Sequence, residues 1–187
     1  PFKEDALAAK PVSPYAASKR AGELLCYTYH SAFKLNFAVL RFFTVYGPRQ
    51  RPDLAIRKFS EHILKDKEIV LFGDGTTSRD YTFVEDIAKG INLALKWTQK
   101  QNSPAFEIFN LGGSRTTTLL ELVSGLEKAL GKKARVRFET KQVGDVDHTL
   151  ADVSKSQATL GYKPSTPIDK GLVEFSKWYL ESVGPQR

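Results

Sequence analysis

The sequence predicts an α/β fold, in which short apolar strands alternate with amphipathic helices. The stretch FAVLRFF at residues 37–43 is apolar apart from one arginine, which is typical of a buried strand. Residues 15–33, just before it, carry apolar side chains at helical spacing, and similar helix and strand patterns alternate through the rest of the chain. Alternation of this kind is typical of parallel sheets covered by helices.

Local signals place the individual elements. Ser13 can cap the first helix, and Pro14 suits its first turn. Further helices are predicted over residues 53–65 with Asp53 as the cap, 85–97, 118–130 with Gly131 as the stop, 154–160 and 168–183. Short strands are predicted at residues 69–72, 81–83, 106–111 and 135–139.

Composition narrows the class of protein. The 187 residues are 41% hydrophobic and 26% charged, which is ordinary for a soluble globular protein. No apolar run is long enough to span a membrane, and the N-terminus does not resemble a signal peptide. Cys26 is the single cysteine and cannot form an internal disulfide, so a reducing, cytoplasmic setting is expected.

The charge balance predicts an anionic partner. A net charge of +7 suits either a nucleic acid or a phosphorylated metabolite. The basic residues are spread along the chain, without zinc-finger spacing or an aromatic RNA-binding signature, so we favour a small anionic ligand. The histidines have no metal-ligand spacing, and no metal is expected.

One pair of residues could carry chemistry by itself. Tyr15 and Lys19 are four residues apart, so they share one helix face, where an ammonium group favours the phenolate form of a neighbouring phenol. This spacing is common by chance, and a solvated pair on a helix surface is the alternative interpretation.

Several motifs in a fixed order give that pair a context. They are PYAASK at residues 14–19, LRFFTVYGPRQRPD at 40–53, FGDGTTSRDYTFVEDIAKG at 72–90, FNLGG at 109–113 and GDVDHTLADVSKSQATLGYKP at 144–164. Together they resemble the C-terminal part of the NAD-dependent epimerase/dehydratase family of extended short-chain dehydrogenase/reductases, over nearly the whole chain. The resemblance implies that residues 1–50 end a Rossmann-type NAD(P)-binding fold. Residues 51–187 would form mainly a small mixed α/β substrate-binding domain, with residues 81–113 returning in part to the cofactor domain.

The resemblance also implies the reaction, a UDP-sugar 4-epimerisation through a transient 4-keto sugar. Tyr15 matches the base that takes a proton from a sugar hydroxyl while NAD takes a hydride. Lys19 matches the residue that contacts the nicotinamide ribose and favours the phenolate, and Phe43 matches a position whose backbone lies against the nicotinamide. A homodimer is expected for the intact enzyme.

Five positions match substrate contacts of the family. Thr44 stands where galactose-type epimerases usually have asparagine, and the sequence around it resembles that of UDP-glucuronate 4-epimerases. A threonine hydroxyl can donate a hydrogen bond to the carboxylate of such a substrate. Arg79 matches a residue that binds the diphosphate of the substrate, and Arg51 is a weaker candidate for the ligand site. Both arginines could instead be solvated charges in loops. Asp145 matches an acceptor for ribose hydroxyls, and Gln142 stands where many relatives have arginine.

The sequence contains no glycine-rich turn between a strand and a helix that would bind the cofactor pyrophosphate. We therefore expect either a fragment of an intact epimerase or a stand-alone chain without turnover. A nucleotide-sugar decarboxylase or dehydratase of the same family is an alternative for the parent enzyme. A non-catalytic module that binds a nucleotide or nucleic acid is the alternative of another class.

Overall fold

Helices and strands alternate in the computed structural model, which describes residues 1–6, 10–141 and 146–183. The helices are α1 (Pro14–Phe33), α2 (Ala55–Leu64), α3 (Val84–Gln99), α4 (Leu119–Leu130), α5 (Ser154–Leu160) and α6 (Ile168–Ser182). The strands are β1 (Phe37–Phe42), β2 (Thr44–Tyr46), β3 (Glu68–Phe72), β4 (Ser78–Phe83), β5 (Phe106–Leu111), β6 (Thr116–Thr118) and β7 (Arg135–Glu139).

The strands form three small sheets. β1 pairs with β5, and β3 pairs with β7, both in parallel. In the third sheet β4 lies between β2, to which it is parallel, and β6, to which it is antiparallel. The predicted α/β class, with parallel strand pairs and helices between them, is confirmed.

Two details of the predicted elements are wrong. Asp53 does not cap α2. The helix begins at Ala55, and the residue at its N-cap position, Leu54, makes no side-chain capping hydrogen bond. The Asp53 carboxylate accepts instead from the Arg51 guanidinium at 2.6 and 3.1 Å. The strands β2 and β6 were not predicted. Both are three residues long, and both are defined by their pairing with β4 rather than by a local pattern.

The predicted Ser13 cap and Gly131 stop are confirmed, and α4 also begins with a capping box that was not predicted. Ser13 Oγ accepts from the backbone N–H of Ala16 at 3.1 Å, which satisfies a free donor in the first turn of α1. Thr118 and Glu121 form a reciprocal capping box at the start of α4. Gly131 ends that helix with a left-handed backbone at φ 65°, a conformation that costs glycine little.

Two groups of buried apolar side chains hold the chain together. The α4–α6 core lies between α2, α4, α6 and the strands β3 and β4; its members are Tyr46, Ile56, Phe59, Ile63, Ile69, Leu71, Phe83, Leu122, Val123, Leu126, Leu172, Phe175 and Tyr179. Gly171 of α6 lies directly beneath the Tyr46 hydroxyl, where any β-carbon would collide. The β1–β5 core lies beside β5, α3 and α5; its members are Ile87, Ala94, Phe109, Leu111, Ala151, Val153, Leu160 and Tyr162.

Helix α1 is attached to the β1–β5 pair without burying any residue of its own. Glu23 accepts from the Arg41 guanidinium at 2.6 and 2.9 Å, and the Tyr27 ring meets Phe106 edge-on at 5.2 Å. Apolar side chains on its other faces, including Leu24, Leu25 and Phe33, are exposed. Within the described residues, no helix has the length and apolar character to cross a membrane.

Candidate active site

The Tyr15–Lys19 pair lies on the open side of the first two turns of α1. The Tyr15 side chain is 72% exposed, and Lys19 Nζ lies 5.3 Å from the centre of its ring. Ser18 donates its hydroxyl to the Tyr15 carbonyl at 2.8 Å, so it is engaged with the backbone of the same turn. A phenol with an adjacent ammonium and free access to a ligand is an arrangement that suits proton transfer.

Phe43 joins the sheet that carries β1 to the sheet that carries β2. It is the single residue between the two strands, and its backbone N–H donates to the Leu111 carbonyl at 3.1 Å, at the end of β5. Its ring packs against Phe2, with the ring centres 6.4 Å apart. The next residue along the chain, Thr44, opens β2.

A pocket of about 240 Å³ brings Thr44 and Arg79 together. We call it the Thr44 pocket; its lining residues are Thr44, Gln50, Leu54, Ala55, Ile56, Thr77, Arg79, Tyr81 and Leu119. The register of the sheet explains this grouping, because Thr44 of β2 lies opposite Tyr81 of β4, two residues after Arg79. The pocket therefore combines hydroxyl and guanidinium donors above an apolar floor.

Arg51 lies outside the lining of this pocket and is engaged elsewhere. It forms an exposed ion pair with Asp53 at 2.6 Å, and this carboxylate raises the pKa of Arg51 above its usual range. Tyr15 also contributes to that rise of the Arg51 pKa, to a smaller extent, so Arg51 is within electrostatic reach of the phenol. Arg51 therefore does not share the Thr44 pocket with Arg79.

The segment after residue 145 runs beside β4. The Ser78 N–H donates to the Asp147 carbonyl at 2.9 Å, and the Ser78 hydroxyl is 2.9 Å from His148 Nδ1. Arg79 donates to the carbonyls of Ser78 and Asp147 at 3.1 and 3.4 Å. Gln142 and Asp145, predicted as substrate contacts, lie outside the described residues.

Asp80, a buried carboxylate that sequence reasoning missed, organises the neighbourhood of Arg79. It accepts from the backbone N–H groups of Gly113 and Ala151 at 2.6 and 3.0 Å and from the Thr82 hydroxyl at 3.1 Å. A β-carbon on Gly112 would collide with Asp80 and Ala151, which explains the paired glycines of the FNLGG motif. Those glycines were the available signal, since close backbone approach needs residues without side chains.

Asp86 fixes a second loop in a similar way. It is 1% exposed, and it accepts from the backbone N–H groups of Ser165 and Thr166 at 3.0 and 2.8 Å and from Lys89 at 3.0 Å. Its prediction as part of a helix start is confirmed, but its contact with the distant loop could not be read from spacing.

Another cavity lies apart from these residues. A cavity of about 750 Å³ between α4 and α6 contains none of the predicted site residues. Across the described ranges, no group of three or more His, Cys, Asp or Glu side chains is arranged to hold a metal ion.

The order of the motifs and their placement have a counterpart among known proteins. Residues 1–112 match the model of the NAD dependent epimerase/dehydratase family. The chain belongs to the NAD-dependent epimerase/dehydratase family. It is 44% identical over 182 residues to an uncharacterised protein of Methanocaldococcus jannaschii, an alignment that covers 97% of this chain and 54% of that protein.

Two further epimerase/dehydratase relatives have a stated activity. A UDP-glucuronate 4-epimerase of Thermodesulfobacterium geofontis is 41% identical over 184 residues, covering 98% of this chain and 55% of the relative. The crystal structure of the Bacillus cereus UDP-glucuronic acid 4-epimerase, in complex with UDP-glucuronic acid and NAD, superposes with a TM-score of 0.87 at 38% identity, covering 96% of this chain and 56% of that one. The chain therefore spans about half the length of these family members.

The described residues suit the nicotinamide end of NAD, the cofactor in the description of the family. Tyr15 and Lys19 present a phenol and an ammonium to an open space, and Phe43 directly follows the end of β1. They would suit the nicotinamide and its ribose, which need a hydrogen-bonding cation and a flat apolar contact. The diphosphate end needs a glycine-rich turn, and the sequence has no such motif.

Proposed function

We propose that this chain is part of an NAD-dependent UDP-sugar 4-epimerase, with UDP-glucuronate ahead of UDP-glucose as the substrate. The observation that carries the proposal is the Thr44 pocket, which places a hydroxyl donor and a guanidinium in one cavity at the start of β2, directly after Phe43. The relatives named UDP-glucuronate 4-epimerase support the same substrate class.

The proposed roles follow from the chemistry of the side chains. Tyr15 takes a proton from the sugar 4-hydroxyl, and Lys19 stabilises the phenolate that does so. NAD, when bound, supplies the group that accepts and returns a hydride, so the sugar passes through a 4-keto form. Both side chains lie on the open face of α1, so they are accessible to a ligand.

We assign substrate binding to residues that follow Phe43 in the sequence. Arg79 would bind the diphosphate, because a guanidinium offers several donors in a fixed plane. Thr44 would donate its hydroxyl to the sugar carboxylate. Asp145 stays a predicted contact of the ribose hydroxyls, Gln142 stays a predicted substrate contact, and Arg51 stays a weaker candidate for binding the substrate.

The substrate assignment is tested on the whole protein with a coupled assay on UDP-glucuronate. We expect UDP-galacturonate as the product. Formation of UDP-xylose would indicate a decarboxylase instead, and activity confined to UDP-glucose and UDP-galactose would overturn the preference for the carboxylate.

Thr44 offers a sharper test of that preference. Thr44→Val removes the hydroxyl with little change of shape, so kcat/KM for UDP-glucuronate should fall roughly 10-fold while that for UDP-glucose changes little. Thr44→Asn, the residue usual in galactose-type members, should move the preference toward UDP-glucose. Equal losses on both substrates would contradict a role in carboxylate binding.

The domain roles give a further test. We propose that residues 1–50 belong to the cofactor domain and residues 51–187 mainly to the substrate domain, with residues 81–113 returning in part to the first. The 187-residue chain alone should then bind UDP weakly, bind NAD negligibly and show no turnover by itself. Tight, salt-sensitive binding of an oligonucleotide in the same calorimetry would favour the non-catalytic module.

We also propose that the whole protein is a homodimer. The exposed apolar side chains of α1, among them Leu24, Leu25 and Phe33, support this, because a surface of this kind is usually covered by another protein surface. Light scattering of the whole protein tests it, and a monomer at micromolar concentration would contradict it.

A further inference from the structure

One polar atom in the residues lining the Thr44 pocket has no partner. Gln50 Oε1 is buried, and within the part of the chain that the structure describes no donor reaches it. Buried side-chain acceptors are nearly always hydrogen-bonded, so an exception in a pocket wall indicates a missing donor. Gln50 was not among the residues that the sequence predicted for the site.

The orientation of the amide is set by its other end. Gln50 Nε2 donates to the Val45 carbonyl of β2 at 3.2 Å. Rotating the amide by a half-turn would place two acceptor oxygens against each other, so the oxygen is the atom left without a partner. The unpartnered group is therefore an acceptor that needs an N–H or O–H donor.

The backbone of Gln50 is held as firmly as its side chain. Its N–H donates to the Gly47 carbonyl at 3.2 Å, and its carbonyl accepts from the Arg57 guanidinium at 2.6 Å. Arg49, just before it, has a left-handed backbone with φ 67°, which an arginine rarely adopts without support from its surroundings. The turn thus holds the Gln50 side chain against β2 before any ligand arrives, as a preorganised binding group requires.

The other groups of the pocket narrow the kind of donor. Thr44 and Arg79 line the same cavity, so a ligand lying between them meets a hydroxyl and a guanidinium as donors. A diphosphate carries no donor at neutral pH, whereas a hexose ring carries several hydroxyls that both donate and accept. Gln50 also lies close in sequence to Thr44 and Phe43, on the side proposed to meet the sugar.

We propose that Gln50 determines specificity, its Oε1 accepting a hydrogen bond from a hydroxyl of the hexose ring of the UDP-sugar. This inference rests on the proposed function and deepens it. The uracil ring also offers one N–H donor, and the test separates that case.

The test compares Gln50→Leu with Gln101→Leu in the whole protein. Gln101 is a matched control, because its Nε2 donates to the Trp97 carbonyl at 2.8 Å in the same manner, but it does not line the Thr44 pocket. We expect Gln50→Leu to lower kcat/KM for the UDP-sugar roughly 10-fold to 100-fold and to leave the Kd for UDP within about two-fold. Gln101→Leu should change neither quantity.

Deoxy substrates identify the contact itself. Wild-type protein should lose a similar factor on the one monodeoxy UDP-hexose that lacks the bonded hydroxyl, and Gln50→Leu should show no further loss on that analogue. Thermal unfolding of both variants checks that the folds are intact. If Gln50→Leu fails to fold, the deoxy series on Gln50→Ala and Gln50→Glu replaces it.

Three results would overturn the inference. An equal loss of UDP and UDP-sugar affinity would assign Gln50 to the uracil, and unchanged kinetics would leave it a purely structural residue. Independent losses from the variant and from every deoxy analogue would show that no hydroxyl contacts it. Absence of wild-type turnover on any UDP-hexose would remove the proposed function as well, whereas normal wild-type turnover with an unaffected Gln50→Leu removes this inference alone.

Discussion

The two cores differ in how completely the helices beside them are buried. α4 and α6 place Leu122, Leu126 and Phe175 at 0% exposure in the α4–α6 core. α1, which is longer, has no buried residue, and Phe42 at the end of β1 is 49% exposed. The contrast teaches that a local pattern sets the type of element, while burial depends on what lies against it.

The candidate site is divided along the same line. The Thr44 pocket is floored by Ile56, a member of the α4–α6 core, whereas Tyr15 and Lys19 stand on the exposed helix. Ligand binding and proton transfer should therefore respond separately to substitution.

The largest effect should come from Tyr15. Tyr15→Phe removes the proposed base without removing the ring, so kcat of the whole protein should fall by about 100-fold to 10,000-fold. The Kd for UDP should stay within about two-fold, because the Thr44 pocket is untouched. Calorimetry and the epimerase assay measure the two quantities; parallel losses in both would show that binding and catalysis are not separable.

The next effect compares matched leucines of the two regions. Leu122→Ala in the α4–α6 core should lower the free energy of unfolding by about 2–5 kcal/mol, because it empties a fully buried site. Leu25→Ala on α1 should change it by less than about 0.5 kcal/mol in the isolated chain. Urea unfolding monitored by tryptophan fluorescence measures both; similar values for the two variants would refute the contrast between the regions.

A smaller effect concerns the ionic attachment of α1. The hydrogen bonds from Arg41 lower the pKa of Glu23 below its usual range, although burial opposes this. The ionised carboxylate therefore stabilises the fold at neutral pH, and this contribution is lost as the pH falls through the folded-state pKa. Glu23→Gln should cost about 1–2 kcal/mol of unfolding free energy at pH 7.

The pH series and a surface pair provide the controls for Glu23. The difference between wild type and Glu23→Gln should shrink at pH values below about 4, where the carboxyl protonates in the unfolded chain. Glu61→Gln, which breaks an exposed pair with Lys65, should cost less than about 0.5 kcal/mol at any pH. A Glu23 effect that is independent of pH would mean that packing, not charge, attaches the helix.

The smallest effect concerns the capping box of α4. Thr118→Ala removes the hydroxyl that accepts from the Glu121 N–H at 3.1 Å and should cost about 1 kcal/mol of unfolding free energy. Thr118→Ser keeps the acceptor and should lose only a few tenths of that. Equal losses for both substitutions, measured by urea unfolding, would point to the methyl group instead.

Local chemistry made most of the elements predictable. The Ser13 cap, the Thr118–Gly131 helix and the strand at residues 106–111 depend on neighbours in sequence, and all three are confirmed. Asp53 was misassigned because a carboxylate two residues from an arginine can bind either the helix or that side chain. The three-residue strands β2 and β6 depend on pairing with β4, which no local pattern records.

The candidate site was predictable mainly through the family motifs, since only the spacing of Tyr15 and Lys19 indicated it without them. They indicated Thr44 and Arg79, which the structure brings into one pocket, and Tyr15 with Lys19, which share a helix face. The roles of these residues stay predictions. Gln50 and Asp80 were missed because their importance arises from contacts to distant backbone groups or from an unfilled acceptor, which sequence spacing does not encode.

The single-residue link at Phe43 has a mechanical consequence. With a single residue between them, the Cα atoms of Phe42 and Thr44 are at most about 7 Å apart, so the end of β1 and the start of β2 cannot separate by loop motion. A ligand bound in the Thr44 pocket would therefore lie at a nearly fixed distance from the β1–β5 pair, to which α1 is attached. This connection between the two parts of the site therefore contains no flexible loop.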